Sequence, residues 1–261
     1  MGLAAISYDS VPVLKSFADR KQITFPLLSD PESNIIRSFG ILNETVEKSN
    51  PFFGVPHPGT YVLDPKGVVI AKYFEDDYKE RDTASAILVR QFGLKTEAAH
   101  STTQAKQLSL STSASTSNVA TGAHVALVVD IDLKPGMHVY APGVKGYIAI
   151  DWQLPDSDAA KALPVAYPAP KTLRLAVIDE TVPVYLGQVR LVRDIVIASD
   201  AKVKPLVDAN GDLTLQGTLK YQACDDKKCY LPDSVPLRWT LHYRQMDRQR
   251  VAPELQRKGL K

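Results

Sequence analysis

Beyond residue 107 the chain falls into short stretches in which apolar and polar residues alternate: HVALVVDIDL, YIAIDWQL, VRLVRDIVI, DLTLQGTLKY and VPLRWTLHY. Turn-forming clusters such as KPG, PDSD and DANGD separate them. A period of two residues sends alternate side chains to opposite faces of a strand. Many such strands with frequent turns predict an antiparallel, immunoglobulin-like β-sandwich.

The earlier residues have another rhythm. GLAAIS is strand-like, and VPVLKSFADRKQ places Val13, Leu14, Phe17 and Ala18 at helical spacing before NIIRSFGI. GTYVLD, the turn PKG and VVIAKYF read as a hairpin, and RDTASAILVRQFG as a closing helix with glycine at its end. Alternating elements of this kind predict an α/β fold. TEAAHSTTQAK, between the two patterns, is small, polar and aperiodic, which predicts a linker. The expected division is therefore 1–95 as an α/β domain, 96–106 as linker, 107–245 as the sandwich and 246–261 as a charged tail.

Composition narrows the function classes. With 44% hydrophobic and 23% charged residues the chain can bury a core. A net charge of +2 with dispersed basic residues offers no phosphate-binding stripe, so nucleic acid is not an expected partner. No apolar run approaches the roughly 18 residues of a membrane span. Met1 is followed at once by GLAAISYDS, without the basic and apolar regions of a secretory signal.

Chemistry concentrates in YQACDDKKCYLP, which holds the only two cysteines, Cys224 and Cys229. A four-residue hairpin loop makes the flanking residues cross-strand partners with Cα atoms about 4.5–5.5 Å apart. That lies inside the roughly 4.4–6.8 Å window of a disulfide, so the two sulfurs can join. Lys227 and Lys228 favour a thiolate while Asp225 and Asp226 oppose it, so the loop alone fixes no strong shift. Three readings stay open: a redox dithiol, a structural disulfide and half a zinc site. Zinc is the weakest, because no second cysteine pair exists and His57, His100, His124, His138 and His242 show no paired ligand spacing.

The second half resembles the N-terminal, immunoglobulin-like periplasmic domain of the thiol:disulfide interchange protein DsbD. The likeness is carried by KPGMHVYAPG, IDWQLPDS leading to YPAPK, GQVRLVRDI and YQACDDKKCYLP. It implies that Cys224 and Cys229 shuttle between dithiol and disulfide, with Cys229 exchanging with partner proteins and Cys224 resolving. It also implies a cap loop over the disulfide, matched by Asp179 and Glu180. Thr181 and Val182 stand where the family has an aromatic ring, a place Tyr185 could fill. Tyr221 and Tyr140 are candidates to line the site as apolar cover. His138 is read as packing or facing solvent rather than titrating.

The stretch AISYDSVPVLKSFADRKQITFPLLSDPESNIIRSFGI and the later GVPHPGTYVLDPKGVVIAKYF are similar to the redoxin group of the thioredoxin superfamily, which includes peroxiredoxins. That likeness implies a partial thioredoxin-like fold with a cis-proline at Pro58, Pro56 being the second candidate. The family's cysteine lies on a segment preceding GLAAIS, and no cysteine precedes Cys224. The expectation is an N-terminally truncated product with its true start, and any signal peptide, upstream.

Together these likenesses imply a two-domain thiol-disulfide oxidoreductase using no metal and no organic cofactor. Its expected partners are proteins with thioredoxin-like domains, including a tethered one in the intact protein. They also point to a periplasmic or other extracytoplasmic location. Two alternatives remain: a binding or scaffold sandwich with a purely structural disulfide, and a peroxiredoxin-type hydroperoxide reductase whose catalytic cysteine lies upstream of Met1.

Overall fold

The computed structural model describes residues 2–74, 77, 79–175, 180–247 and 249–256. Contacts divide the chain into two units, Met1–Tyr78 with Asp247–Lys261, and Lys79–Met246.

In the first unit β1 (Ala5–Ser7) and β2 (Leu27–Ser29) pair in parallel, Ala5 opposite Leu27, and α1 (Val11–Lys21) connects them. Pro12 sits in the first turn of α1, where a missing N–H costs nothing, and Gln22 ends the helix in the left-handed region. After α2 (Asn34–Ser38), β3 (Gly59–Leu63) and β4 (Val69–Phe74) form an antiparallel hairpin. Asp64 closes its turn by accepting from the N–H groups of Lys66 and Val68. This βαβ-plus-hairpin arrangement is the partial thioredoxin-like fold, with β1–β2 and β3–β4 as separate ladders among the described residues. No described peptide bond is cis, so the bond before Pro58 is trans, against expectation. Trans is the lower-energy form of an X-Pro bond unless packing enforces the other. Asp247, at the start of the tail, accepts Lys21 Nζ at 2.6 Å and the Gln249 N–H at 2.8 Å, which, with the charge of Arg20 3.5 Å away, hold its carboxyl below the ordinary range.

The second unit is the β-sandwich. It opens with β5 (Arg81–Asp82) and α3 (Ala84–Phe92), followed by β6 (Ser101–Gln104), β7 (Leu108–Ala114), β8 (Asn118–Val119) and β9 (Ala123–Leu133). Next come β10 (His138–Tyr140), β11 (Asp151–Gln153), β12 (Ala160–Ala166), β13 (Lys171–Leu175), β14 (Glu180–Leu186) and β15 (Gln188–Ile197). A short α4 (Asp200–Val203) precedes β16 (Asp212–Tyr221), β17 (Ala223–Cys224) and β18 (Asp233–Tyr243). One sheet has the order β12-β15-β9-β7-β6 with β5 beside β9, the facing sheet β11-β16-β18-β8, and a smaller third sheet β13-β14-β10-β17.

Alternation explains the core. Val235, Leu237, Trp239 and Leu241 of β18 point inward with Leu213, Leu215 and Leu219 of β16, against Leu127, Val129 and Ile131 of β9. Strand β9 is buried on its other face too, because Ala126 and Val128 pack under Ala86 and Val89 of α3. Thr83 caps that helix by accepting from Ala86 N–H at 3.2 Å, and Gly93 ends it in the left-handed region. The helix expected to close the first domain therefore covers the sandwich. Burying Val89 contributes about 1.5–3 kcal/mol to that packing. The stretch expected as linker likewise contributes β6, whose residues pair with β7 from Ser101↔Thr112 to Gln104↔Ser109.

Gly122 permits the close approach of the segment before α3. Its φ is +73° and a Cβ there would collide with the carbonyl oxygen of Lys79. Its own carbonyl accepts Arg81 N–H at 2.8 Å and its N–H donates to Ile197 O at 2.8 Å. Gly122→Ala should cost on the order of 1–3 kcal/mol in backbone strain. Hydrogen exchange should then speed up at the Arg81 amide and stay unchanged at Leu237.

Candidate functional site

The cysteine motif begins where the chain changes sheets. Up to Tyr221, β16 is laddered to β18, with Tyr221 opposite Asp233. After Gln222 the next two residues join β10 instead, with Ala223 opposite Val139 and Cys224 opposite His138. Ala223 faces the main core and Cys224 a separate small cluster with Tyr140, Val182 and Val184, against which Val144, Tyr147, Leu173 and Leu186 pack.

Cys224 and Cys229 are joined, with their Cα atoms 3.9 Å apart. They form an isolated antiparallel bridge flanked by Asp225 N–H to Lys228 O and Tyr230 N–H to Ala223 O, each 2.9 Å. The cysteines are thus a non-hydrogen-bonded pair, the closer of the two antiparallel kinds, which explains a separation shorter than the spacing predicts. The sulfurs differ in environment. Cys224 is 1% exposed, whereas Cys229 is exposed.

Asp225 orders the loop between them. Its Oδ1 accepts the N–H groups of Lys227 and Lys228, each at 2.8 Å, and its Oδ2 accepts the Tyr230 hydroxyl at 2.8 Å. The two backbone donors, then the tyrosine, hold its carboxyl below the ordinary range. Because the folded carboxyl is the stronger acid, this contribution is complete at neutral pH and fades as pH falls through the lowered value. Lys228 Nζ lies 4.9 Å from the centroid of the Tyr230 ring.

Tyr140 is the inner wall. It is 1% exposed, and its hydroxyl lies 3.6 Å from Cys224 Sγ and 3.7 Å from Cys229 Sγ, where the O–H can donate to either sulfur. Burial, with the charge of Glu180 adding to it, pushes its pKa up and keeps the phenol protonated. Tyr147 stacks on Tyr140 with centroids 4.3 Å apart and gives its hydroxyl hydrogen to Glu180 Oε2 at 2.5 Å. That bond pushes the Tyr147 pKa up to about 12. Glu180 thus fixes an aromatic lid over the tyrosine that touches the disulfide.

The remaining candidates fall elsewhere. Asp179 lies outside the described residues. Tyr221 is in the main core with its hydroxyl 3.1 Å from Gln107 Oε1, so it does not line the sulfurs. Burial, with Asp233 nearby, pushes its pKa up to about 12. Tyr185 also faces that core and donates to Pro168 O at 2.9 Å, leaving the aromatic cover to Tyr147. Pro58 belongs to the first unit. Sequence reasoning passes over Tyr147, which it reads as the first residue of the strand-like YIAIDWQL, whereas the structure keeps only Asp151–Gln153 of that stretch as strand and leaves Tyr147 in the preceding loop. It also underrates His138, although a spacing of two from Tyr140 puts both on one face of β10.

The family model described as thiol:disulfide interchange protein DsbD, N-terminal, matches residues 105–236, and that of the AhpC/TSA family matches residues 2–72. Alkyl hydroperoxide reductase C of Staphylococcus aureus is 31% identical over 85 residues, 31% of this chain and 41% of that protein. The chain spans less than half the length of the curated relatives it matches, from 41% to 46%. Among solved structures, the N-terminal periplasmic domain of ScsB from Proteus mirabilis aligns with a TM-score of 0.36 at 16% identity, covering 56% of this chain and 51% of that one. The reduced DsbD N-terminal domain of Neisseria meningitidis gives a TM-score of 0.28 at 15% identity, covering 44% and 82%.

Proposed function

We propose that this chain, which belongs to the family of thiol:disulfide interchange protein DsbD N-terminal domains, exchanges electrons with protein thiols through a reversible Cys224–Cys229 disulfide. The observation that carries this reading is the asymmetry of the two sulfurs, one buried under Tyr140 and the other exposed at a hairpin tip. Exchange requires a thiolate to reach one sulfur of the disulfide and expel the other. Only Cys229 offers that access. A partner thiolate attacks Cys229 Sγ, the bond to Cys224 breaks, and the electron pair leaves on Cys224 Sγ. A second partner thiolate then attacks the partner sulfur of the mixed disulfide and releases Cys229. The partner ends oxidised by two electrons and the cysteine pair reduced by two. The reverse sequence reduces a partner disulfide.

A staple would be poorly placed here, since a loop this short removes little unfolded-state entropy. The partners we assign are thioredoxin-like proteins, and Leu231, 88% exposed two residues beyond Cys229, offers them an apolar contact. We place the exchange in an extracytoplasmic compartment, where disulfides persist. Both cysteines of the chain lie in the sandwich, so peroxide reduction has no sulfur nucleophile in residues 2–72.

A glutathione and dithiothreitol redox series tests the reading. The midpoint should be more oxidising than about −300 mV, and a lower value would mark an inert structural bond. Cys224→Ser should form a stable mixed disulfide with a thioredoxin-fold protein through Cys229, while Cys229→Ser should form none. Trapping only by Cys229→Ser would reverse the assigned order.

A further inference from the structure

His138 faces the buried sulfur from the neighbouring strand. It is register partner to Cys224 on one side and to Leu186 on the other, and it is 3% exposed. Directly opposite residues of an antiparallel pair carry their side chains on the same face with Cβ atoms about 4.5–5.5 Å apart. The ring meets Tyr140 edge-on at a centroid distance of 5.6 Å, and its buried Nε2 has no hydrogen-bond partner among the described residues. A buried polar nitrogen left unsatisfied costs about 1–3 kcal/mol, so its retention calls for a compensating role.

The buried sulfur has a complementary need. Cys224 must become a thiolate to resolve a mixed disulfide and leaves as one in the reverse step, in surroundings that disfavour a negative charge. The elements packed around His138 leave it little competition for that proton. Leu186 brings no charge from β14, and Tyr185 turns to the main core. Glu180, at the far end of β14, is engaged by Tyr147. Beyond β17 stand Asp225, Lys227 and Lys228, with Asp225 committed to the loop. Tyr140 lies on its own strand and keeps its proton.

We infer that His138 is a general base that takes up the Cys224 proton during resolution and returns it in the reverse direction. This rests on the exchange reading above. With Cys229 joined to a partner sulfur, Cys224 Sγ–H passes its proton to the His138 ring. The thiolate attacks Cys229 Sγ, the Cys224–Cys229 bond forms and the Cys229–partner bond breaks. The partner sulfur departs with the electron pair as a thiolate. The cysteine pair is oxidised by two electrons and the partner reduced by two. Burial lowers the ring's pKa against an upward pull from Asp225, so the ring is neutral and able to accept a proton at neutral pH.

Ellman's disulfide separates the steps, since attack by Cys229 on the reagent releases one thionitrobenzoate and attack by Cys224 on the resulting mixed disulfide releases a second. In His138→Gln and His138→Phe the second release should slow on the order of tenfold at pH 7, below the full range of general-base effects because buffer can substitute. The first release should stay within about twofold, as Cys229 is exposed. The gap should close at acid pH, where the ring is already protonated, and again above about pH 8.5, where thiols ionise unaided. The wild-type second phase should bend at the ring pKa read by proton NMR. Second phases that superimpose at all pH values, equal slowing of both phases, or a wild-type profile without that bend would each overturn the inference. A wild-type protein that never releases the second equivalent would remove the exchange reading and this inference with it.

Discussion

Reduced protein treated with iodoacetamide should take up the reagent at Cys229 on the order of a hundredfold faster than at Cys224. Alkylation consumes thiolate, so the rate follows both access and the fraction ionised. Cys229 stands at an exposed hairpin tip beside Lys228, whereas Cys224 is 1% exposed among Tyr140, Val182 and Val184. Desolvation raises the pKa of a buried thiol, and each unit removes about a factor of ten in thiolate. Local opening of the hairpin must also precede attack at Cys224. Peptide mapping by mass spectrometry after graded exposure reads both rates. Equal labelling would show that reduction dissolves the hairpin and that the asymmetry behind the proposed order belongs to the disulfide state alone.

The second large effect concerns the frame that holds this hairpin. Trp239→Ala should destabilise the sandwich by about 3–5 kcal/mol. Trp239 is fully buried, stacks on Trp152 with centroids 5.4 Å apart, and donates its indole N–H to Ser113 O at 2.9 Å. Alanine leaves a cavity between the two sheets and removes the indole donor from the Ser113 carbonyl on β7. Against a typical domain stability of about 5–15 kcal/mol, that is a large share. Both tryptophans of the chain lie in the sandwich, so the fluorescence of Trp152 in the variant follows this unit alone during urea unfolding. A midpoint shift equivalent to less than about 1 kcal/mol would mean that the sheets close over the gap.

The fold was legible where period and packing coincide. VPLRWTLHY alternates without a break, and β18 buries Val235, Leu237, Trp239, Leu241 and Tyr243 while the residues between them face out. The βαβ start and the hairpin after Pro58 were legible for the same reason, as was the ability of the two cysteines to meet across a short loop. Reading failed where a third element changes what a face touches. HVALVVDIDL reads as a strand with one buried face, yet β9 is buried on both because α3 dries the second. STTQ in β6 has no apolar rhythm, since backbone pairing with β7 holds it at the sheet edge. At the site, the sequence offers Tyr221 and Tyr140 alike. The change of sheet at Gln222 sends the Tyr221 ring into the main core and brings Tyr140 to the sulfurs from a distant strand. Tyr147 reaches the same place from the loop before β11, although the alternation of YIAIDWQL reads as strand from that residue on.

The doubly covered strand β9 sets a rule for shuffling these modules. A breakpoint placed anywhere between Ala84 and Leu108 would strip aliphatic Ala126 and Val128 of their roof, whereas one before Lys79 would carry roof and house together.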